Sequence, residues 1–132
     1  MPRLMLDTNI CIYVLKNYPV GLREKFEALA DSLCISSITL CELRYGAEKS
    51  SRRDSNLAEL SLFVAQLAVL DFPAKAAEEY GRLRLALARV GKPIGPLDLL
   101  IGSHALSEGM TIVTNNRREF DRIPGLIVEN WV

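Results

Sequence analysis

This 132-residue sequence lacks any excess of charge: sixteen Lys and Arg residues are matched by sixteen Asp and Glu. A protein held to nucleic acid by its overall field is ordinarily strongly basic, so that mode of binding is excluded. Any grip on phosphates has to come from a local patch, with acids concentrated elsewhere. Histidine occurs once, at His104, which excludes a catalytic histidine pair within one chain. The three cysteines, Cys11, Cys34 and Cys41, contain no C-x-x-C pair. With a single histidine that spacing argues against zinc, and the odd count points to reduced thiols in a cytoplasmic protein. No run approaches the ~18 apolar residues of a membrane span. The apolar N-terminal segment meets Asp7 at once, which leaves no signal-peptide core. Internal repeats, low-complexity tracts and an interdomain linker are also missing, so residues 1–132 are expected to form one domain.

What is present is an alternation of short apolar runs with helical periodicity. Residues 3–6, 33–36, 68–71, 110–114 and 126–128 read as five strands, several of them closed by turn-forming residues. Leu57, Leu60, Val64 and Leu67 step by three, four and three, forming one apolar helical stripe. Ala76, Tyr80, Leu83, Leu87 and Val90 form another, ending at Gly91 and Pro93. Leu22, Phe26 and Leu29 suggest a shorter helix after Pro19, and Pro96 opens one expected to run to about Gly109. The polar stretch 48–56 reads as a loop. Strands alternating with helices imply right-handed crossovers. The expected fold is therefore a three-layer α/β/α arrangement around a mostly parallel sheet of about five strands.

Three acids occupy equivalent places in that scheme. Asp7 follows the first strand, Glu42 lies in the helix after the second, and Asp98 sits in the first turn of the helix opened by Pro96. Open parallel sheets gather ligands beyond the carboxyl ends of their strands, where the following helices begin. Each acid also has a purely local account. Asp7 can cap a helix, Thr39-x-x-Glu42 matches a capping box, and Asp98 suits the positive end of a helix dipole. Spacing alone does not choose between these readings.

The flanking residues carry more. Met5-Leu-Asp7-Thr-Asn9, Ile38-Thr-Leu-Cys-Glu42-Leu, Pro96-Leu-Asp98-Leu-Leu-Ile101 and Val113-Thr-Asn-Asn116-Arg-Arg-Glu-Phe120 follow one another along the chain. Glu42-Leu-Arg-Tyr-Gly46-Ala and Gly91-Lys-Pro-Ile-Gly95-Pro add to them. In this order the chain resembles PIN domains, and among them the VapC-type toxins of bacterial toxin–antitoxin pairs. The resemblance runs from about Leu4 to Trp131.

It implies a metal-dependent endoribonuclease with Asp7, Glu42 and Asp98 as the acids of its metal site. In many family members a fourth acid follows the threonine of the late strand. Asn116 stands at that position here, and Glu119, about one helical turn further on, is placed to reach the same cleft. Glu119 and Asp121 are equally readable as solvated surface charges. Asn9 is expected to orient Asp7 or solvate the cleft, and Thr114 to hydrogen-bond a ligand or a metal-bound water. His104, off the Asp98 face of its helix, is expected to pack or to lie at the surface.

Crowded carboxylates repel, and a cation relieves them. Hard oxygen donors select Mg²⁺ or Mn²⁺, and attack by metal-activated water leaves 5′-phosphate and 3′-hydroxyl ends. The resemblance further implies a homodimer, a cognate VapB-like antitoxin whose peptide crosses the active-site groove, and a structured RNA substrate such as tRNA, cut in a single-stranded loop. Leu60, Phe63 and Ile12 suit that groove or a dimer face, though core packing accounts for them as simply. Arg82, Arg84, Arg89 and Lys92 form the basic stretch best placed to grip an RNA backbone, and a solvated helix face explains them too.

Two other readings remain at this stage. Asn116 motivates a PIN-like module that binds RNA or antitoxin without efficient cutting. A phosphatase or phosphoacceptor with Asp7 as nucleophile requires a second acid beside Asp7 and a suitably placed lysine. Asn9 occupies the nearest position, and no lysine follows Lys92.

Overall fold

Side chains alternate along three neighbouring strands, and each alternation builds a separate core. In the computed structural model, which describes residues 2–132, β1 (Leu4–Leu6), β2 (Leu33–Ser36) and β4 (Thr111–Val113) form the middle of a five-stranded sheet. Leu6, Leu33, Ile35 and Val113 point to one face, where α1 (Thr8–Lys16), α2 (Leu22–Leu29), α3 (Ser37–Glu48) and α4 (Arg53–Val64) supply Ile10, Phe26, Leu43 and Phe63. Met5, Cys34 and Ile112 point to the other, against Leu83 of α5 (Ala74–Arg89), Ile101 of α6 (Pro96–Ser107) and Phe120 of α7 (Arg117–Phe120). Period-two strands buried on both sides leave no polar face, so these runs are continuously apolar.

Adding β3 (Ala68–Leu70) and β5 (Val128–Glu129) gives the order β3-β2-β1-β4-β5, with every pairing parallel. The expected three-layer architecture is present, and its sheet is wholly parallel. The chain builds outward from β1 through β2 to β3, then returns to β1's other side for β4 and β5. The direction of winding therefore reverses between β1 and β4, which makes that crevice the topological switch point of the sheet.

Local differences from the sequence expectation have identifiable causes. The stretch 48–56 is not one loop: α3 runs on to Glu48, and α4 begins at Arg53. Its polar residues are surface positions of helix ends, with Glu48 bridging Arg44 and Arg53. The helix α1, open in the sequence only as one that Asp7 can cap, forms although Ile10-Cys-Ile-Tyr-Val14 is rich in β-branched and aromatic residues. Tertiary burial of Ile10, Cys11 and Val14 on one face, together with an Asp7 cap, overrides that propensity. The last strand is Val128–Glu129, slightly beyond the expected 126–128. In α6, Leu99 and Ile101 fill the core, while Leu100 between them is half-buried.

Candidate functional site

Asp7 stands at the switch point. Its backbone N–H donates to the Val113 carbonyl at 3.0 Å, extending the β1–β4 ladder past the end of β1. Its side chain turns back to cap α1, Oδ1 accepting from the Ile10 N–H at 2.9 Å. Oδ2 accepts a short hydrogen bond from the Thr114 hydroxyl across the crevice. The capping role and a place in the cleft are thus compatible, since a capping carboxylate keeps free lone pairs. Asn9 does not orient Asp7 with its side chain, which is exposed; its backbone N–H faces the carboxylate instead.

Glu42 arrives from α3. The capping-box expectation fails here, because α3 starts earlier than Thr39: Ser36 is its N-cap and accepts from the Ile38 N–H at 3.1 Å. Thr39 is buried inside the helix, and Glu42 points across to α1, where Oε1 accepts from the Thr8 hydroxyl at 2.6 Å. Thr8 was not singled out from the sequence. The only signal it carries there is its place directly after Asp7.

Asp98 lies in the first turn of α6, as expected, and α7 brings Glu119 to it. Asn116 sits between the two acids, its Nδ2 donating to Asp98 Oδ2 at 3.4 Å and to Glu119 Oε2 at 3.2 Å. Asn116 therefore presents an amide donor to the carboxylates. The close approach of α6 to the α7 segment depends on Gly102, one turn beyond Asp98. A Cβ at Gly102 would stand 2.5 Å from Cδ1 of Ile123 and 3.4 Å from the Phe120 ring.

Electrostatics tie the four acids together. The Asp98 carboxyl is pushed up to about 7, first by burial and then by a hydrogen bond with Glu119 and the negative charges of Glu119, Asp7 and Glu42. Burial raises Asp7 as well, against the hydrogen bonds of Thr114 and Ile10 and with a further push from Glu42. A cluster whose members oppose one another's ionisation is one that a cation stabilises. Every donor is a hard carboxylate oxygen, and no ammonium or guanidinium is hydrogen-bonded to the four acids among the described residues. That donor chemistry fits a hard divalent ion. Among the described residues no three potential ligands stand close enough to enclose an ion.

Other expected residues fall elsewhere. His104 is fully buried, Nδ1 bonded to the Ser36 hydroxyl at 2.8 Å and its ring edge-on to Phe72. Burial lowers its pKa, which suits a neutral packing residue. Leu60 and Phe63 are core residues, while half-buried Ile12 joins Leu60, Leu15, Leu43 and Glu42 around a cavity of about 280 Å³. The basic residues of α5 do not converge. Arg82 pairs with Glu79, Arg84 with the Tyr80 hydroxyl at 2.7 Å, and Arg89 and Lys92 are exposed further along. Successive helical positions differ by about 100°, so Arg82 and Arg84 leave the helix on opposite flanks.

The sequence matches the PIN domain family over residues 4–126, nearly its whole length. The chain belongs to the PIN-domain family. Divalent-metal dependence is general among PIN-domain nucleases. This PIN domain is 52% identical over 131 residues to the tRNA(fMet)-specific endonuclease VapC of Shigella flexneri, covering 99% of each chain. It is 46% identical over 132 residues to the Ribonuclease VapC2 of Haemophilus influenzae, covering 100% of each. The crystal structure of DNA-bound VapBC from Salmonella typhimurium contains a chain that superposes with a TM-score of 0.95 at 51% identity, covering 100% of both. No helix of this PIN domain is long and apolar enough to cross a membrane among the described residues.

Proposed function

We propose that this chain is the toxin of a toxin–antitoxin pair, a metal-dependent endoribonuclease that hydrolyses structured RNA to 5′-phosphate and 3′-hydroxyl ends. The observation that supports the reading is the placement of the acids, Asp7 fixed at the switch point by Thr114 and the α1 N-terminus, Glu42 turned to Thr8 on α1, and Asn116 bonded to both Asp98 and Glu119. Relatives named as ribonucleases over the full length of the chain support it.

In this reading Asp7, Glu42 and Asp98 hold Mg²⁺ or Mn²⁺, and Glu119 joins them as the fourth acid in place of Asn116. A divalent ion bound there supplies charge neutralisation and an acidified water for attack on phosphorus. The chain's own contribution is to present the acids. Thr114 and the α1 N-terminus fix Asp7, Thr8 fixes Glu42, and Asn116 donates to both Asp98 and Glu119. Glu119 beside Asp98 restores the charge whose absence at Asn116 motivated a non-cleaving binding module.

The Shigella relative's name points to tRNA(fMet) as the substrate, and the Salmonella complex to a VapB-like antitoxin as the partner. The apolar cavity ending at Glu42 suits an antitoxin segment. The protein works as one domain in the cytoplasm, as a homodimer that enlarges on binding antitoxin.

Purified, antitoxin-free protein is to be incubated with total RNA and Mg²⁺ or Mn²⁺, beside EDTA and Asp7→Asn controls, and the fragment ends mapped. Discrete 5′-phosphate fragments lost in both controls are expected. Fragments ending in 2′,3′-cyclic phosphate, or equal cutting by Asp7→Asn, would overturn the mechanism.

A further inference from the structure

Net charge is zero, so a chain that handles RNA has to concentrate its cations, and the fold does so on the far flank of α7 from the acids. The C-terminal end of α5, the loop after it and the α7 segment border an open surface cavity of about 460 Å³. Leu83, Leu87 and Val90 line one side, and Lys92, Arg118 and Arg122 stand around it. We propose that this cavity is a binding subsite for a single-stranded flank of the RNA substrate, its three cations taking phosphates and its aliphatic wall and guanidinium planes receiving a base. The inference rests on the ribonuclease reading for its ligand, and on its own residues for the site.

One cation is held by its side chain and another has its backbone fixed. Helix α5 ends in paired reverse hydrogen bonds, Lys92 N–H to the Leu87 carbonyl at 2.9 Å and Gly91 N–H to the Ala88 carbonyl at 3.1 Å, with Gly91 at φ +69°. This Schellman arrangement requires a residue tolerant of positive φ at Gly91, and it sets the backbone of Lys92 rigidly at the cavity edge. Arg122 is held by a 2.7 Å hydrogen bond from its guanidinium to the Pro93 carbonyl, which uses one of five donors and leaves the others for a phosphate.

The single acid in the lining, Asp121, is already paired with Arg117 at 3.3 Å. Lys92 and Arg118 have no carboxylate partner among the described residues. Positive charge is therefore in surplus there, whereas Arg82 is neutralised by Glu79 on α5 itself. The volume lies within the ~300–1,000 Å³ range of small-ligand sites, enough for a nucleotide unit.

Position gives the subsite its use. Arg118 and Glu119 are consecutive, with Cα atoms about 3.8 Å apart, and on a helical turn their side chains diverge by about 100°. One turn of chain thus carries an acid toward Asp98 and a cation toward the cavity. A strand leaving the acids past α7 meets phosphate contacts at once, and such contacts set register without reading sequence. Bases unstacked from a loop find apolar or guanidinium surfaces to lie on.

The test uses a short fluorescein-labelled single-stranded RNA of mixed sequence and full-length protein carrying Asp7→Asn, so that nothing is cut. Adding Arg118→Glu or Lys92→Glu should weaken binding at least tenfold and lower the salt dependence by about one ion per lost contact. Arg3→Glu, at the opposite end of β1, should leave affinity within twofold. Arg118→Ala is the milder variant if the reversals disturb folding, because its side chain is exposed and unpaired. Unchanged affinity in folded Arg118→Glu and Lys92→Glu proteins overturns the subsite, as does a changed sedimentation mass with RNA affinity intact, which would make the surface a protein contact. Cleavage by the unaltered protein is scored separately. Cutting with patch-independent binding sinks only the subsite, and patch-dependent binding without cutting sinks only the nuclease.

Discussion

Thr114 and Asp7, 107 residues apart in the chain, are joined by a short hydrogen bond between the threonine hydroxyl and Asp7 Oδ2 at the crevice where the sheet reverses its winding. Both side chains are buried, so the bond is made away from competing water. It holds one oxygen of the carboxylate while the α1 N-terminus holds the other. Orientation of the innermost acid is therefore a property of two parallel strands and a helix end, not of a loop.

Replacing Thr114 with Val removes that donor and leaves a buried carboxylate oxygen unpaired. A loss of about 1–3 kcal/mol in urea unfolding is expected, with RNA cleavage down at least tenfold. Thr114→Ser, which keeps the hydroxyl, should retain most of both. Equal cleavage by the Val and Ser proteins would falsify the orienting role.

Glu119→Gln removes the nearest of the charges that oppose ionisation of Asp98. The Asp98 carboxyl should titrate below its present value of about 7, while Mn²⁺ binding measured by calorimetry weakens because a donor is lost. Asn116→Asp should do the reverse on both counts, adding a negative charge where Asn116 now bridges the acids. Tighter Mn²⁺ binding by the Gln variant would show that Glu119 is a bystander.

The direction of the pH dependence follows from the raised Asp98 value. Between its ordinary value of 3.8 and about 7 the folded protein keeps a proton that the unfolded chain has released. That contribution is fully present below 3.8 and is lost as pH rises through about 7. Asp7, also raised, acts in the same sense. His104 acts oppositely: its lowered pKa costs stability as pH falls below 6.5. Comparison with Asp98→Asn isolates the carboxyl. Metal-free wild type should lose thermal stability relative to Asp98→Asn from pH 5 to 8, and saturating Mn²⁺ at pH 8 should reverse the order. Parallel curves without metal would contradict the electrostatic account.

Gly102→Ala is expected to cost about 1–2 kcal/mol, the scale of overpacking a well-filled core, because the new methyl group meets Ile123 at 2.5 Å. Displacing that segment moves α7, so Mn²⁺ affinity should fall along with stability. A destabilised variant with unaltered Mn²⁺ affinity would separate the packing of α7 from the placement of Glu119.

The sequence by itself determined the layering, and its resemblance to PIN domains marked Asp7, Glu42 and Asp98 as the candidate acids. Apolar runs in alternation with helical stripes leave little choice but a parallel sheet covered on both faces, with ligands gathered beyond the carboxyl ends of its strands. The tertiary structure decided what depends on distances between remote segments. Whether Glu42 caps its own helix or reaches Thr8 turned on where α3 begins, and Ser36, not Thr39, is its cap. Whether Glu119 is a surface charge or a companion of Asp98 turned on how closely α7 approaches α6, which the missing side chain of Gly102 permits. Whether α1 exists turned on burial of Ile10, Cys11 and Val14, against their preference for strands. The basic run looked continuous in sequence, yet helical geometry and Glu79 set Arg82 and Arg84 apart, and only Lys92 of that run joins the surplus cations of residues 118–122. Local pattern is written in neighbouring residues. A side chain's partner is set by packing, which brings together residues that no spacing along the chain relates.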